Sequence, residues 1–345
     1  MRTHLLSSCR ELISKLSKCK HIVIVHHWDS DGISSAALLS RIFNDRELSF
    51  LVPKIGLYSA NAIDLGNLAP SKNTIIILLD YGLPPDEVIR LRRMVDSEVA
   101  VIDHHVNEAL GRLFCNPIAL GCPEDDYPST TWVLKEILDV SGHEDLVALG
   151  VIGDVGRFIR SYEISSWVND VCSKYGLTIN DLIKASGIID TCYRLIDYKC
   201  IDYAREVLTS KSVREVLRSR RLLGKYLRLR EEIAKALNNA EVTDVDRVIK
   251  LFRVNSDSYI TSCIGRELAR KFKDKVIVLC HEVRKLGMSY IYVRSHKYIL
   301  RHVLQGLKSK GLKVGGKDRV LVITCRNNRC DELDTLLRTL KLYLE

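Results

Sequence analysis

The sequence lacks any hydrophobic run long enough to cross a membrane. Among its 345 residues the longest apolar stretches, such as residues 75–79, stay far below the roughly 20 residues that a spanning helix needs. The N-terminal residues 1–6 do not form a signal-like core, because the polar residues Ser7, Ser8 and Arg10 follow at once. We therefore expect a protein without membrane association that stays in the cytoplasm.

Cysteine is present, but not in the spacing of a zinc site. The eleven cysteines are an odd number, and no two of them stand as C-x-x-C. In a reducing compartment this pattern favours buried or idle thiols over a disulfide framework or a structural zinc ion. We expect no chemistry from cysteine.

Size and charge point to a basic two-domain protein. A chain of 345 residues is longer than one average domain, and 46% hydrophobic residues suffice for packed cores. The 52 Lys and Arg residues exceed the 43 Asp and Glu residues, which gives a net charge of +9. A basic protein suits a polyanionic substrate.

The most informative stretch follows the apolar, β-branched residues 22–25. It reads His26-His27-Trp28-Asp29-Ser30-Asp31-Gly32. A short run of this kind predicts a buried strand, and open α/β sheets bind ligands at the carboxyl ends of their strands. The two carboxylates therefore indicate a metal site.

Three later stretches repeat this arrangement. Residues 74–79 lead into Asp80, residues 99–102 lead into Asp103-His104-His105, and residues 147–153 lead into Asp154. We interpret all three as strands. If the four strands lie parallel in one sheet, as their alternation with helical patterns suggests, their acidic ends meet at one edge. Between them, Ser129 and Thr130 are expected to cap a helix over residues 132–138, with phosphate contact as the alternative.

The second half of the chain has a different pattern. Residues 213–237 alternate basic and apolar side chains with helical spacing, which predicts one long amphipathic helix with a basic face that is either solvated or lies along nucleic acid. Strand-like and helical runs alternate again after residue 242. The predicted fold is α/β, with a parallel-sheet domain at residues 1–186, a helical linker at 187–240, and a smaller α/β domain at 241–345.

The order of motifs resembles a known superfamily. H-x-D-x-D-G at residues 27–32, Asp80 after a strand, D-H-H at residues 103–105 and G-x-x-x-D at residues 150–154 resemble the DHH phosphoesterases. The resemblance is greatest to the RecJ-like nucleases, including the archaeal type that is related to partners of replicative helicases. It implies a catalytic DHH domain and a divergent DHH-associated C-terminal domain that binds substrate.

The resemblance also implies a set of metal ligands. Hydrolysis of a phosphodiester by two divalent ions requires hard oxygen ligands, one of them able to bridge, together with one or two imidazoles. In this family pattern Asp29 binds one ion, Asp31 the other, and Asp80 bridges them. His104 and Asp154 complete the second site, and His27 is the candidate for completing the first. Mixed carboxylate and imidazole ligands favour Mn²⁺, with Mg²⁺ as the alternative.

Other residues are assigned to the substrate by the same resemblance. His105 is expected to face the scissile phosphate, and Asp103 is expected to orient an imidazole. In the C-terminal domain Arg294 matches the arginine of an S-x-R pair, although Tyr292 stands at the serine position. Gly315 and Gly316 match a G-G-H loop in which Lys317 replaces the histidine, and lysine binds phosphate as a point charge.

Three functions are compatible with these residues. The first is a metal-dependent exonuclease that removes nucleotides from single-stranded DNA or RNA, with a role in DNA repair or replication. The second is a phosphodiesterase for short oligonucleotides, a cyclic dinucleotide or phosphoadenosine phosphate. The third is a replisome scaffold that binds a helicase, with or without nuclease activity.

Overall fold

The computed structural model describes residues 2–66, 73–325 and 330–344. The chain divides into two compact units, which are described separately. The first unit contains residues 1–193 and 197–226, and the second contains residues 194–196 and 227–345.

The first unit is built on a five-stranded parallel sheet. The strands are β1 His21–His26, β2 Glu47–Leu51, β3 Thr74–Leu79, β4 Glu98–Ile102 and β5 Phe114–Cys115. Their order across the sheet is β2-β1-β3-β4-β5. The central strand β3 is buried along its whole length, which explains its unbroken run of apolar side chains. The predicted parallel α/β sheet is confirmed.

Helices connect the strands of the first unit and follow them in the chain. The helices of the first unit are α1 Arg2–Leu16, α2 Ser30–Ile42, α3 Pro85–Met94, α4 Thr130–Ile137, α5 Glu144–Val155, α6 Ser165–Tyr175, α7 Ile179–Arg194, α8 Tyr198–Ser210 and α9 Val213–Arg218. Helix α10, Arg220–Asn238, starts in the first unit and ends in the second.

The prediction of a strand at residues 147–153 was wrong, because this run forms most of helix α5. The helix is buried on nearly all sides, and an all-apolar run carries no periodicity that separates a buried helix from a buried strand. Its glycines also permit close packing. A Cβ at Gly150 would lie 2.2 Å from Thr131 Oγ1, and one at Gly153 would lie 2.4 Å from Ser30 Oγ.

The prediction of one continuous helix over residues 213–237 was also wrong. The structure has two helices, α9 and α10, separated by Ser219, whose ψ of 108° is extended. The Ser219 side chain accepts a hydrogen bond from the backbone N–H of Leu222, so it starts the second helix. Periodicity alone did not reveal this break, because both helices carry basic and apolar residues.

The second unit contains a six-stranded mixed sheet. The strands are β6 Glu241–Asp244, β7 Ile249–Ser256, β8 Val276–Val283, β9 Met288–Ser295, β10 Val314–Lys317 and β11 Val320–Cys325. They lie in the order β10-β11-β9-β8-β7-β6, and the β7–β8 pair is parallel whereas the other pairs are antiparallel.

Helices cover both faces of this sheet. Helix α11, Thr261–Lys271, packs with α10 on one face, and helices α12, Arg301–Ser309, and α13, Glu332–Leu344, pack on the other. The predicted second α/β region is thus confirmed. The sequence did not predict β6, β10 or α13.

The expectation that the cysteines are idle thiols was wrong for six of them. The structure contains disulfides between Cys9 and Cys115, Cys192 and Cys200, and Cys325 and Cys330. The first pair is separated by 106 residues, and its Cα atoms lie 4.9 Å apart because α1 packs beside β5. Such a pairing depends on the tertiary fold and leaves no spacing signal in the sequence.

Over the described ranges, none of the helices has both the length and the apolar character that spanning a membrane requires.

Candidate metal centre

The centre begins where parallel strands β1, β3 and β4 end. The ladder of backbone hydrogen bonds continues one residue beyond each strand, since His27 N donates to Leu79 O and Asp80 N donates to Ile102 O. Asp103 N likewise donates to Cys115 O. These bonds fix the backbone of three polar residues at the same edge of the sheet. Asp80 has a φ of +59°, an uncommon conformation for a residue with a Cβ.

The paired carboxylates lie at the start of helix α2. Asp29 is the N-cap and accepts a hydrogen bond from Gly32 N, whereas Asp31 lies in the first turn. A Cβ at Gly32 would lie 2.6 Å from the carbonyl oxygen of His27, so only glycine fits here. The glycine lets the chain turn tightly from β1 into the helix and delivers both carboxylates to the sheet edge.

Six predicted ligands fall into overlapping groups with a further histidine. In each group the ligand atoms lie within 4.8 Å of one another. The groups are His27, Asp29 and Asp80; Asp31, His104 and Asp154; and Asp80, His104 and His105. Asp80 and His104 each belong to two groups, and of the two only Asp80 has a second ligand oxygen with which to bridge two ions.

Individual distances define the two ends of the centre. His27 Nδ1 lies 2.8 Å from Asp29 Oδ2 and 3.9 Å from Asp80 Oδ2. His104 Nε2 lies 3.0 Å from Asp154 Oδ2 and 3.6 Å from Asp80 Oδ1. The Asp80 carboxylate therefore has one oxygen near each imidazole.

These residues fit divalent cations. His27 Nδ1 and His104 Nε2 are buried and have no hydrogen-bond partner of good geometry. Buried polar atoms are normally satisfied, so two such nitrogens facing carboxylates indicate positions for a ligand. The other ring nitrogen of each histidine lies near an oxygen: His27 Nε2 is 3.2 Å from Tyr58 Oη, and His104 Nδ1 is 3.3 Å from Tyr127 O. Such outer contacts orient metal-binding imidazoles.

Electrostatics also favour bound positive charge. Burial and the nearby Asp154 carboxylate raise the pKa of Asp31 to about 7. Burial and the charges of Asp31 and Asp29 raise the pKa of Asp80 well above its usual range. Burial opposes ionisation of Asp29 as well, but the nearby charge of His27 outweighs it and lowers the pKa to about 2. The carboxylates repel one another, and cations between them would remove this repulsion.

Asp103 holds the second histidine of the D-H-H segment. Its Oδ1 lies 2.7 Å from His105 Nδ1 and also accepts the backbone N–H groups of His104 and His105. Burial would lower the pKa of His105, but the Asp103 charge and hydrogen bond outweigh it and raise the pKa. A Cβ at Gly82 would lie 3.3 Å from the His105 ring, so the glycine leaves room for this imidazole.

The sequence did not predict the threonines that surround Asp31 and Asp80. The backbone N–H groups of Thr130 and Thr131 donate to Asp31 at 2.6 and 3.1 Å, and Thr130 Oγ1 donates to Asp80 Oδ1 at 2.8 Å. Ser129 caps helix α4 through Trp132 N at 3.1 Å, as predicted. The helix start was recognised, but the pattern could not show which carboxylate its free amides would meet.

Two more unpredicted contacts fix the first turn of α2. Asp190 Oδ1 accepts the backbone N–H of Ser30 at 3.0 Å, and Ser30 Oγ lies 2.9 Å from Ser186 Oγ. Both partners come from helix α7, about 160 residues later in the chain. The Asp29-Ser30-Asp31 segment is therefore held from two sides.

The two basic residues predicted to bind substrate in the second unit lie in one row of its sheet. Lys317 pairs with Val320, and Val320 pairs with Arg294, so the two basic residues lie on the same face. Gly315 and Gly316 were expected in a loop, but they lie in the edge strand β10. A Cβ at Gly316 would lie 2.2 Å from Val320 O, which explains the glycine. Arg294 Nη1 donates to Tyr292 Oη at 3.0 Å.

Comparison with known proteins identifies the first unit. Residues 21–150 match the model of the DHH family, N-terminal domain. The first unit contains a DHH domain. The superfamily expected from the motifs is thus confirmed. No curated protein matches the chain by sequence.

Solved structures share the fold of this chain over almost its whole length. RecJ of Thermus thermophilus in complex with Mn²⁺ has a TM-score of 0.64 and 17% identity, covering 98% of this chain and 54% of that one. The pGpG-specific phosphodiesterase PggH of Vibrio cholerae has a TM-score of 0.50 and 15% identity, and the match covers 93% of this chain and 97% of PggH.

A third similar structure is CDC45 of Entamoeba histolytica, with a TM-score of 0.52, 9% identity and 99% coverage of both chains. At these identities the likeness shows the fold. The chain spans about half the length of the Thermus RecJ structure. The DHH domain and its acidic and histidine groups support metal-dependent phosphoesterase chemistry.

Proposed function

We propose that this DHH protein hydrolyses phosphodiester bonds at a two-metal centre and acts as a single-strand-specific exonuclease on DNA or RNA. The observation that carries the proposal is the Asp80 carboxylate, which lies between two imidazoles, with one oxygen 3.9 Å from His27 Nδ1 and the other 3.6 Å from His104 Nε2. Both nitrogens are buried, face carboxylates and have no hydrogen bond of good geometry. A bridging carboxylate between two ligand groups is the arrangement that paired divalent ions require.

Each ion has its own ligands in this proposal. His27, Asp29 and Asp80 would hold one ion, and Asp31, His104 and Asp154 would hold the other. Asp80 would be shared, since its Oδ1 lies 3.6 Å from His104 Nε2. When bound, the ions supply a water of lowered pKa and neutralise charge on the phosphate oxygens. Mn²⁺ is the proposed ion, and Mg²⁺ is the alternative, since oxygen and imidazole ligands suit both.

The chain's own residues orient this chemistry. The N–H groups of Thr130 and Thr131 hold Asp31, and the Thr130 hydroxyl holds Asp80, so both carboxylates keep one orientation. Asp103 fixes the His105 ring and raises its pKa, which favours the protonated form. The His105 side chain is 45% exposed. We assign it the role of a hydrogen-bond donor that places positive charge next to a non-bridging phosphate oxygen.

A strand of nucleic acid is the preferred substrate because of the charge of the second unit. Residues 227–345 contain 25 Lys and Arg residues against 14 Asp and Glu residues. Arg294 and Lys317 lie in one row of its sheet, where they would bind phosphate. Several separated cations favour a polymer over a single phosphate ester.

A phosphodiesterase for short substrates is the second candidate. PggH, a pGpG-specific phosphodiesterase, shares the fold over 93% of this chain and 97% of its own. Lys317 supplies charge without the directional hydrogen bond of a histidine, which would suit a small terminal phosphate as well. The likeness to CDC45 supports a further role beside hydrolysis, which is binding to a helicase or another replisome protein.

The decisive experiment measures hydrolysis of end-labelled single strands of DNA and RNA, of several lengths, with Mn²⁺, with Mg²⁺ and with chelator. Wild-type protein should shorten long strands from one end, and Asp80→Ala should abolish the products. Asp170→Ala, which removes an exposed carboxylate of helix α6, is the matched control. Cleavage that persists in Asp80→Ala would exclude the proposed centre, and cleavage restricted to dinucleotides would favour the second candidate.

A further inference from the structure

A large apolar side chain is exposed four residues after the predicted metal ligand Asp154. Directly after helix α5 and its ligand Asp154, the 3₁₀ segment Gly156–Ser161 begins. Within it Phe158 is 77% exposed, more than any other large hydrophobic side chain of the described residues. Exposing an aromatic ring forfeits the free energy of burial, so its place four residues after a metal ligand calls for a partner.

The exposure of Phe158 does not come from a loose segment. The next residue, Ile159, is buried to 1% exposure and anchors the segment against the domain. Ser161 Oγ donates to the backbone carbonyl of Phe158 at 2.8 Å, and Tyr162 N donates to Ile159 O at 3.1 Å. Gly156, with a φ of +59°, turns the chain out of the helix. The ring is therefore held outward by an ordered backbone.

The residues flanking the ring are positively charged. Arg157 and Arg160 are both exposed, and in the described part of the chain neither has a carboxylate within ion-pair distance. Their surroundings make this unusual. Residues 103–170 contain 12 Asp and Glu residues and only four Lys and Arg residues, two of which are these arginines. Two unpaired cations beside an exposed ring match the chemistry of a nucleotide, which has phosphates and a flat base.

We propose that Phe158 stacks on a base of the bound strand next to the metal centre, while Arg157 and Arg160 contact its phosphates. This inference rests on the proposed function and deepens it, because it assigns a base-recognising surface to the catalytic unit. Stacking is tolerant of sequence, since every base has a π face, so the segment would select for single strands and not for a base type. In a duplex the bases stay stacked on one another and cannot meet the ring.

The test combines substitutions in the protein with removal of a base from the substrate. The affinity of full-length protein for a labelled single strand is measured in chelator, where no hydrolysis occurs. Phe158→Ala should weaken binding roughly tenfold, Phe158→Trp should retain it, and Arg157→Ala should weaken it with a smaller salt dependence. Ile89→Ala, a partly exposed apolar side chain of helix α3, is the matched control and should have no effect.

Abasic strands separate stacking from other effects of the substitution. One base near the end of the strand is removed at a time. Removal of the base that contacts the ring should lower the affinity of wild type about tenfold, but should hardly change the affinity of Phe158→Ala. Equal losses at all positions, or an affinity unchanged by Phe158→Ala, would overturn the inference. A Phe158→Ala protein that binds strands normally but loses a protein partner would assign the ring to protein docking instead.

The outcome is distinguishable from failure of the proposed function. If wild type neither binds nor hydrolyses any single strand, the exonuclease proposal itself fails. If wild type hydrolyses strands and Phe158→Ala is as active as Ile89→Ala, only the stacking inference fails. Unchanged melting temperatures of the variants would confirm that the differences come from binding.

Discussion

The two units of this protein carry opposite charge. Residues 1–226 contain 27 Lys and Arg residues and 29 Asp and Glu residues, so they are slightly acidic. Residues 227–345 contain 25 Lys and Arg residues and 14 Asp and Glu residues, so the positive charge of the chain comes entirely from this part. The acidic unit has the ligands for cations, and the basic unit has the charge for a polyanion. The modest net charge of the whole chain is therefore the sum of a slightly acidic part and a strongly basic part.

The buried histidines of the units differ in the same way. His27 and His104 in the first unit each have a buried nitrogen that faces carboxylates and has no hydrogen bond of good geometry. His281 in the second unit is fully buried, but its nitrogens lie 2.8 Å from Ser256 Oγ and 2.7 Å from Thr261 Oγ1. A satisfied histidine stabilises a core, whereas an unsatisfied one faces a position for a ligand.

The largest expected effect comes from removing one charge of the acidic centre. Asp80→Asn should lower phosphodiester hydrolysis by about 1,000-fold, equal to ~4 kcal/mol of transition-state stabilisation. In metal-free protein the same change should raise thermal stability at neutral pH, because burial and the neighbouring carboxylates oppose ionisation of Asp80 in the folded state, whereas the unfolded chain ionises freely. Hydrolysis rates and melting curves with and without chelator measure both effects.

Added Mn²⁺ sharpens that result. The unfolding free energy of wild type should rise by about 2.7 kcal/mol at a metal concentration of about 100 times Kd, and that of Asp80→Asn should rise much less. The control Asp170→Asn should respond as wild type does. A variant that is less stable without metal, yet stabilised normally by Mn²⁺, would contradict the assignment of Asp80 as a shared ligand.

The satisfied histidine of the second unit should make stability depend on pH. Burial lowers the pKa of His281 to about 4, whereas its unfolded value is about 6.5. The unfolded chain takes up the proton first, so this contribution is absent above about pH 6.5 and destabilises the fold as pH falls towards 4, by up to about 3 kcal/mol. Urea unfolding between about pH 7.5 and about pH 4 measures the slope.

Two variants attribute the slope to His281. His281→Gln should be less stable at neutral pH but should lose this part of the pH dependence. His302→Gln, which removes an exposed histidine of helix α12, should keep it. An unchanged slope in His281→Gln would show that other groups control acid unfolding.

A smaller effect is expected from the basic surface of the second unit. Burial and then the charges of Arg294, Arg319, Lys273 and Arg270 lower the pKa of His296, so all four cations lie within electrostatic range of this histidine. Changing both Arg270 and Lys273 to Glu should weaken binding of a long single strand about tenfold. The slope of log affinity against log salt should fall by about 0.7 for each lost phosphate contact.

The matched control makes the same charge change on the opposite face of the sheet. Lys308→Glu with Lys341→Glu alters helices α12 and α13, and binding should weaken much less. Equal losses in both double variants would mean that net charge, and not a defined surface, holds the strand. Fluorescence anisotropy at several salt concentrations gives both quantities.

The smallest effect concerns the helix that orients the acidic centre. Ser129→Ala removes the cap of helix α4 and should cost about 1 kcal/mol of unfolding free energy. Chemical denaturation measures this cost, with the exposed Ser166→Ala as control. A loss of several kcal/mol would mean that the Ser129 hydroxyl, which also lies 2.9 Å from Thr131 Oγ1, supports more than the helix start.

Much of the acidic centre could be located from the sequence, for a physical reason. Apolar runs that end in Asp or His predict buried parallel strands, and parallel strands bring their ends together. Asp29, Asp80 and His104 were expected at one sheet edge on this ground, and the structure places them there. Asp154 also lies in the cluster, but it arrives at the end of a helix and not of a strand, because an all-apolar run does not reveal its own period.

Contacts between residues far apart in the chain were decided by the tertiary structure alone. The amides of Thr130 and Thr131 meet Asp31 across about 100 residues, Asp190 meets Ser30 across 160, and Cys9 meets Cys115 across 106. The local sequence pattern predicts properties of a single segment, such as a helix cap, a buried face or a carboxylate at the end of a strand. Which segment packs beside it depends on the fold, so the sequence determined the chemistry and the packing decided its geometry.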